Sequence, residues 1–448
     1  MAGADDTIVA CATPWGRGAL AVLRLSGPQA LDVARRLCPQ GAAWQPRRVS
    51  LRVVHDAAGA AIDQAVLTWF PGPRSYTGED VVELSCHGNP VLVEQVLAAC
   101  AAAGARPARP GEFTRRAVAH GRMDLLAAEG LAELIAARSP AALAWLRAAE
   151  ARLGPALVGL EQALLDAAAE LEARLDHPGE DLGELDDAEL GGRIAEVEAQ
   201  ARALAGTWAA GRVRLHGARV ALVGEVNAGK SSLFNALLGE GRALVSPQPG
   251  TTRDVVEGSV LVEGLELTLL DTAGERESED PLEQAGMALG RARSAQVDLV
   301  LLVVPLHRPP SPTEAELRAR TAGLPRLVVG SHADLASPAQ LAAREVALAL
   351  SSATGQGVAQ LRARIHTQVA LAGPGGQAAM LASARQQALL LALAEHAAQA
   401  RQALHGALGP AVAAEELTRG LERLGELRGA QVREEVLDRL FARFCIGK

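Results

Sequence analysis

Lysine is nearly absent from this sequence of 448 residues, in which only two of the 44 basic residues are lysines, Lys230 and Lys448. Aromatic residues are also scarce, with five Trp, five Phe and a single Tyr, Tyr76. Hydrophobic cores must therefore be built from Leu, Val and Ala, and the long tracts of Ala, Leu, Glu and Arg favour helices. The net charge of -8 argues against an indiscriminate polyanion binder.

The five cysteines form no C-x-x-C pair and have no zinc-type spacing. This pattern predicts reduced thiols in a cytosolic protein. The N-terminal segment lacks the basic start of a signal peptide, and no apolar run approaches the roughly 18 residues that span a bilayer. We therefore expect a soluble cytoplasmic protein without a membrane partner, of about three domains by length alone.

One of the two lysines lies in the stretch that organises the rest of the chain. A short apolar run at 219–223 leads into Gly224-x-x-x-x-Gly229-Lys230-Ser231, and a helix-like run follows at 232–238. This strand–loop–helix order is the context that a phosphate-binding loop requires. Loop amides and the helix N-terminus cradle phosphates, Lys230 reaches the β- and γ-phosphate oxygens, and the Ser231 hydroxyl ligates Mg²⁺.

Further GTPase elements follow the loop in their usual order. Thr252 offers a second hydroxyl for Mg²⁺, Asp271 can hold the Mg²⁺ shell, and the amide of Gly274 can sense the γ-phosphate. A mostly parallel sheet is expected, because apolar runs recur along the segment. The predicted strands are 259–262 and 265–270, joined by a Glu263-Gly264 hairpin, then 298–304 and 326–329.

The base-reading motif departs from the Asn-Lys-x-Asp of GTPases and reads Ser331-His332-Ala333-Asp334. Asp334 still offers a carboxylate to the two N–H donors of the guanine edge, but the Asn and Lys that brace and cover the base are gone. One lost buried hydrogen bond costs about 1–3 kcal/mol, or roughly 5–150-fold in affinity. We predict guanine specificity with weaker nucleotide binding than usual.

Catalysis also departs from the Ras pattern. Glu275 stands where Ras-type enzymes place a water-orienting Gln, and no arginine finger is evident. Another group must therefore position water and neutralise charge.

Residues 1–120 predict an α+β domain, because short β-rich segments alternate with helices between Pro/Gly turns. Strands are expected at 7–12, 20–25, 49–55 and 65–70, and helices at 28–37 and 91–103.

The polar stretch 74–89 and the cluster 109–116 have two interpretations. They are solvated turns with capping carboxylates, or they line a pocket for an anionic, ring-bearing ligand that uses Arg24, Arg122 and Glu83. Cys86 and His87 are interpreted as structural rather than catalytic, since no neighbour completes a nucleophile–base pair.

Two blocks, 121–212 and 378–448, are helical by their apolar spacing. Leucines at 153, 157, 160, 164, 171 and 175 form one stripe, interrupted by Gly154-Pro155, where we expect a kink or a restart. A helix at 187–210 follows, then a stripe at 389, 393, 397, 400, 404 and 408 and two shorter helices. The two blocks predict one helical bundle, split by the inserted nucleotide domain at 213–377.

These motifs together closely resemble the MnmE (TrmE) family of tRNA modification GTPases over essentially the whole chain. The family-like stretches are Asp6-Thr-Ile-Val-Ala-x-Ala-Thr-Pro-x-Gly-Arg-Gly18, Ser75-Tyr-Thr-Gly-Glu-Asp80, Arg109-Pro-Gly-Glu-Phe113, Asn227-Ala-Gly-Lys-Ser-Ser232 and Phe444-Cys-Ile-Gly-Lys448. The resemblance implies a multidomain α/β and α protein. It would combine an N-terminal α+β tetrahydrofolate-binding-like domain that also homodimerises, a discontinuous helical bundle, and an inserted Ras-like P-loop GTPase domain.

The resemblance also assigns ligands to residues. Arg24, Glu83, Arg122 and Lys448 fall on the family's contacts to 5-formyltetrahydrofolate or a related folate. Arg122 stands where Lys is commoner, and Asn89 replaces a glycine. Asn227, Ser246, Gln248 and Thr251 match positions that coordinate K⁺, which the family uses in place of an arginine finger. Glu283 matches the acidic residue that orients the attacking water, so it joins Lys230 as a catalytic candidate.

The expected GTP contacts come from three regions. They are the loop residues Asn227, Ala228, Gly229, Lys230, Ser231 and Ser232, the switch residues Ser246, Thr251, Thr252, Asp271, Thr272, Ala273 and Gly274, and the base-side residues Asp334, Ser351, Ser352 and Ala353. Ser231 and Thr252 are the expected Mg²⁺ ligands.

The function implied by the resemblance is tRNA modification. Family members work with MnmG, an FAD-containing partner, in a heterotetramer that installs an aminomethyl or carboxymethylaminomethyl group on carbon 5 of the tRNA wobble uridine. The folate would supply the one-carbon unit, and GTP hydrolysis would open and close the G domains. The alternatives are a ribosome-assembly or regulatory GTPase, and a scaffold that binds GTP weakly. For Cys445, beside the folate-contacting tail, both chemistry and packing remain open.

Overall fold

The computed structural model describes residues 6–41, 43–137, 139–176, 186–239, 256–271, 297–370, 379, 381–406, 408–430, 432–442 and 444–447. The chain forms two compact units, residues 1–132 with 422–448, and residues 133–421. The division into domains at 120, 212 and 377 stays a prediction. Within the described ranges, no helix combines the length and apolarity needed to cross a membrane.

The first unit is built on a six-stranded sheet in the order β3-β4-β5-β2-β1-β6. Its strands are β1 (Ile8–Cys11), β2 (Leu20–Ser26), β3 (Ser50–His55), β4 (Ala61–Phe70), β5 (Val81–His87) and β6 (Arg106–Pro107). Neighbouring strands are antiparallel except for the parallel pair β1 and β6. All four strands expected in this region are present, although β4 begins earlier than expected.

Strand β5 corrects the interpretation of the whole stretch 74–89 as solvated turns. It lies between β4 and β2, and Val82, Leu84 and Cys86 are buried in the core. Glu83 and Ser85 alternate with them, as a strand with two different faces requires. The period-two signal was present in the sequence, but the surrounding charged residues obscured it.

Four helices begin in the first part of this unit: α1 (Ala30–Leu37), α2 (Pro90–Ala102), α3 (Glu112–Ala119) and α4 (Leu125–Ala136). A further helix, Glu434–Phe441, is called the C-terminal helix below. Asn89 caps α2, since its side chain accepts a hydrogen bond from the Val91 amide at 2.9 Å. The backbone of Asn89 is extended, with φ of -112°, so this position does not require a glycine.

Nine helices begin in the second unit within the described residues. They are α5 (Pro140–Asp176), α6 (Asp187–Gly206), α7 (Trp208–His216), α8 (Lys230–Leu238), α9 (Pro312–Arg320), α10 (Pro338–Ala342), α11 (Val358–Ala370), α12 (Ala384–His405) and α13 (Gly409–Arg428). The expected helix at 187–210 is instead two helices that meet at Thr207. The Thr207 hydroxyl donates to the carbonyl of Leu204 at 2.6 Å and accepts from the Leu381 amide at 3.2 Å, which fixes the break.

The two apolar stripes are confirmed with corrections. In α5 all the predicted leucines are buried except Leu175, which lies near the helix end and is exposed. The helix continues through Pro155, so it does not restart there, and the alternative of a kink stays a prediction. In α12 the buried position is Leu390 rather than Leu389, and Leu408 lies beyond the helix and is 66% exposed.

The second unit contains a six-stranded sheet in the order β12-β11-β10-β7-β9-β8. Its strands are β7 (Ala218–Gly224), β8 (Val256–Val262), β9 (Leu265–Asp271), β10 (Leu299–Pro305), β11 (Arg326–Ser331) and β12 (Leu348–Ala349). All pairs are parallel except the β8–β9 hairpin, which turns at Glu263 and Gly264 with φ of 50° and 85°. Apolar clusters cover both faces, as a largely parallel sheet requires.

Candidate functional site

The loop after β7 has the backbone form of a phosphate cradle. Asn227 and Gly229 both have positive φ, 59° and 86°, and Gly229 is the residue that precedes the first turn of α8. The first amides of a helix have no partner within it. At the carboxyl edge of a parallel sheet such amides bind anions.

Lys230 folds back over this loop. Its Nζ donates to the carbonyl oxygens of Gly224 at 3.0 Å and Glu225 at 2.7 Å. An ammonium has three donors, so one remains for a phosphate oxygen. Burial lowers the pKa of Lys230, and the nearby carboxylates of Asp271 and Glu225 act in the opposite direction.

Ser231 and Asp271 meet as the predicted Mg²⁺ site requires. The Ser231 hydroxyl donates to Asp271 Oδ2 at 2.9 Å, and Asp271 is buried at the carboxyl end of β9. A hydroxyl and a carboxylate oxygen on adjacent elements fit the oxygen ligand set of Mg²⁺.

The base-side residues also converge. Asp334 lies in a 3-10 turn directly after β11, and a hydrogen bond from the side chain of Ser351 lowers the pKa of Asp334. Ser351 is buried, and Ser352 and Ala353 follow it in the same turn. A carboxylate held ionised in this way can accept the two N–H groups of a guanine edge.

Ser331, at the first position of the altered base motif, links the phosphate loop to the end of β11, and the weaker nucleotide binding expected from this motif stays a prediction. The Ser331 hydroxyl donates to the carbonyl of Ala228 at 2.7 Å and lies 3.3 Å from the carbonyl of Val304. Ser331 is only 2% exposed, so these bonds are shielded from water. A serine thus fixes the phosphate loop to the end of β11 without the usual asparagine.

A second tether to the loop was missed by sequence reasoning. Arg308 Nη2 donates to Glu225 Oε2 at 2.8 Å, and the Ser311 hydroxyl bonds to the same carboxylate. Both partners lie between β10 and α9. No motif marks Arg308 or Ser311, so the sequence offered no signal for this contact.

In the first unit the structure brings together two of the four predicted folate residues. Arg24 and Glu83 face each other across β2 and β5, with Nη2 and Oε1 2.7 Å apart. The Arg24 guanidinium lies 5.2 Å from the Tyr76 ring and 5.8 Å from the Phe113 ring. Its Nη1 donates to the carbonyl of Gly447 at 3.4 Å. Cationic, acidic and ring groups therefore meet at one place on the sheet.

Arg122 contacts the polar stretch 74–89, because its Nε donates to the carbonyl of Ser75 at 3.1 Å. Burial raises the pKa of Cys86 to about 11, which supports its structural interpretation. The His87 ring pairs with Asp63 rather than with a nucleophile, with Nδ1 and Oδ1 2.8 Å apart. Cys445 is exposed.

Several predicted site residues lie outside the described residues. They are Ser246, Gln248, Thr251, Thr252, Thr272, Ala273, Gly274, Glu283 and Lys448. Their assignments stay predictions.

A domain that offers a carboxylate to a base and a lysine-bearing loop to phosphates, at one edge of a mainly parallel sheet, is of the P-loop GTPase class. Residues 7–122 match the family described as GTP-binding protein TrmE N-terminus, and residues 125–445 match the MnmE helical domain. The chain belongs to the MnmE family of tRNA modification GTPases.

Its curated relatives are similar over their full length. The tRNA modification GTPase MnmE of Myxococcus xanthus is 43% identical, and that of Akkermansia muciniphila is 40% identical, each over 100% of both chains. Among solved structures, the G domain of the T. maritima FeoB iron transporter is 26% identical over 34% of this chain and 98% of its own, with a TM-score of 0.27. That score is too low to support an argument.

Proposed function

We propose that this chain is a K⁺-activated GTP hydrolase that acts in the cytoplasm with an FAD-dependent partner to modify carbon 5 of the tRNA wobble uridine. A folate would supply the one-carbon unit. The observation that carries the proposal is the coexistence of two sites in one chain. Lys230, Ser231 and Asp271 form a nucleotide site, and Arg24 with Glu83 forms a site for an anionic ring-bearing ligand.

The direct test is mass analysis of wobble uridine in cells that lack this protein. The proposal requires loss of the 5-aminomethyl or carboxymethylaminomethyl group and its return when the wild-type gene is restored. Unchanged wobble uridine in the deletion strain would exclude the tRNA role, whatever the GTPase activity of the purified protein.

Potassium activation is the next expected result. Bound K⁺ would supply the positive charge that an arginine finger supplies elsewhere, and the exposed Asn227, in its left-handed loop position, offers an amide oxygen. We expect GTP turnover in KCl to exceed that in NaCl by about a hundredfold, the size of one lost charge-stabilising contact. Asn227→Ala should lose this difference.

The matched control for Asn227→Ala is Asn235→Ala, because Asn235 is an exposed asparagine on α8. Its turnover should keep the wild-type dependence on K⁺. Equal rates of phosphate release in KCl and NaCl for the wild-type protein would contradict the K⁺ mechanism.

Folate binding predicts a large effect at Arg24. Arg24→Ala removes a guanidinium that already lies among Glu83, Tyr76 and the Gly447 carbonyl. The loss of a charge-assisted hydrogen bond, about 1.5–3 kcal/mol, should raise the Kd for 5-formyltetrahydrofolate roughly 10–150-fold. Calorimetric titration measures this. Arg35→Ala, on the surface of α1, should leave the Kd unchanged, and an unchanged Kd in Arg24→Ala would remove Arg24 from the pocket.

The proposed homodimer has a candidate surface on the first unit. Strand β3 lies at the edge of the sheet, and Val49 and Leu51 are 70% and 62% exposed. Val66, which pairs with Leu51 on β4, is exposed on the same face. Apolar side chains on an edge strand mark an association surface. Leu51→Glu should shift the molar mass in light scattering to that of the monomer, and an unchanged mass would place the dimer surface elsewhere.

A further inference from the structure

His332 occupies an unusual position at the end of β11. Its backbone is left-handed, with φ of 56°, a conformation that few residues other than glycine adopt. Its ring lies against the phosphate loop, because a Cβ atom built on Gly229 would be 3.0 Å from His332 Cε1. On another side the ring meets that of His307 edge to face, with centroids 4.8 Å apart. The ring is thus held by contacts on two sides.

The hydrogen bonds of Ser331 fix the orientation of this ring. Ser331 Oγ lies 3.0 Å from His332 Nδ1, and its single proton is donated to the carbonyl of Ala228. Ser331 therefore accepts from an Nδ1–H, and Nε2 of His332 carries the lone pair. Burial lowers the pKa of His332, His307 and Arg308 lower it further, and Asp334 opposes them. This shift favours the neutral imidazole.

The position of His332 relates the two ends of the nucleotide site. Its ring lies beside Gly229 at the phosphate loop, and only Ala333 separates His332 in the sequence from Asp334, the predicted base-binding carboxylate. A nucleotide with its phosphates on the loop and its base on Asp334 would therefore lie near His332. A flat neutral ring at that place offers a stacking surface to a base.

We infer that His332 covers one face of the bound guanine and thereby sets the affinity for the nucleotide. The imidazole would replace the lysine stem of the usual Asn-Lys-x-Asp motif, while Ser331 keeps the loop in place. This inference rests on guanine nucleotide binding by the domain, which belongs to the proposed function.

The test is GDP binding by the full chain with His332→Asn and His332→Phe. Asparagine tolerates the left-handed backbone but has no ring, so His332→Asn should raise the Kd for GDP about tenfold, within the range of a lost base stack. Phenylalanine keeps a ring, so His332→Phe should stay within about threefold of wild type. Isothermal titration in Mg²⁺ buffer gives both values.

Inorganic pyrophosphate is the internal control, because it occupies the phosphate loop and has no base. Its affinity should be the same in wild type and both variants, which also shows that the loop is folded. A wild-type Kd for GDP in His332→Asn would overturn the inference. An equal loss of pyrophosphate and GDP affinity would also overturn it, since His332 would then only support the loop. His332→Gly replaces the asparagine variant if that protein does not fold. Failure of the wild-type protein to bind GDP would instead refute the proposed nucleotide function.

Discussion

Replacing Lys230 with alanine is expected to reduce GTP hydrolysis by about a thousandfold, the upper range for loss of one preorganised charge contact. Phosphoryl transfer depends almost entirely on positioning and charge, and Lys230 is the cation that closes the loop on Gly224 and Glu225. Phosphate release at saturating GTP in K⁺ and Mg²⁺ measures the loss.

Lys230→Arg is expected to be nearly as inactive, although it keeps the charge. The ammonium fits between two loop carbonyls at 2.7 Å and 3.0 Å, where a planar guanidinium is too large and has the wrong donor geometry. Arg364→Ala, at an exposed basic position on α11, should keep the wild-type rate. Retention of more than about a tenth of the activity in Lys230→Ala would contradict the assigned role.

Arg116→Ala is expected to destabilise the first unit by about 3–5 kcal/mol, the cost of breaking a buried ion pair from one side. Arg116 is 7% exposed. Its guanidinium contacts Asp6 at 2.6 Å, Glu79 at 3.0 Å and Glu112 at 3.1 Å. Removal of this cation leaves carboxylates beside one another in a shielded site, where Arg106 still pairs with Asp6 and Glu112.

The neighbouring Arg115 is the matched control. It pairs with Glu434 and Asp438 on the C-terminal helix, and both of these carboxylates are largely exposed. Exposed pairs contribute about 0–1 kcal/mol, so Arg115→Ala should change little. Hydrogen–deuterium exchange of the β1 and α3 peptides in urea reports the first unit specifically. Equal losses of stability in the two variants would contradict the large contribution predicted for the ion pairs of Arg116.

The same network predicts sensitivity to acid. Burial by itself raises the pKa of Glu112, but hydrogen bonds from Arg106 and the Arg109 amide outweigh it and lower that pKa below its usual range. Burial also raises the pKa of Asp6, but Arg106 and Arg116 outweigh it and lower that pKa. Carboxyl groups whose pKa is lowered in the folded protein stabilise the fold above their ordinary pKa of about 4. This stability is lost as the pH falls through the lowered pKa values. Arg116→Ala should weaken that dependence.

Much of the nucleotide site could be predicted because its chemistry is local. The cradle needs Gly229, Lys230 and Ser231 in consecutive positions, so the spacing alone specified it, and the adjacent strand and helix confirmed the context. Asp271 was found for the same reason, since it ends an apolar strand.

The contacts that sequence reasoning missed are long-range. Ser331 braces Ala228 across 103 positions, and Arg308 reaches Glu225 across 83. Such contacts depend on which strands are neighbours in the sheet, and no local period encodes that order. Strand β5 was missed for a different reason. Buried residues alternate along it as in a strand with one buried face. Its other face carries the charged Glu83, which pairs with Arg24 in the candidate site and made the segment look like a polar turn.

The bond between Arg24 and the Gly447 carbonyl has a consequence for synthesis of the protein. These residues are 423 positions apart, and the first unit contains both residues 1–132 and residues 422–448. Domains usually begin to fold as they leave the ribosome, N-terminal parts first. Here the pocket around Arg24 cannot be completed until nearly the whole chain has emerged. A prematurely terminated product can therefore contain an intact GTPase domain, but it lacks a finished pocket for the proposed folate.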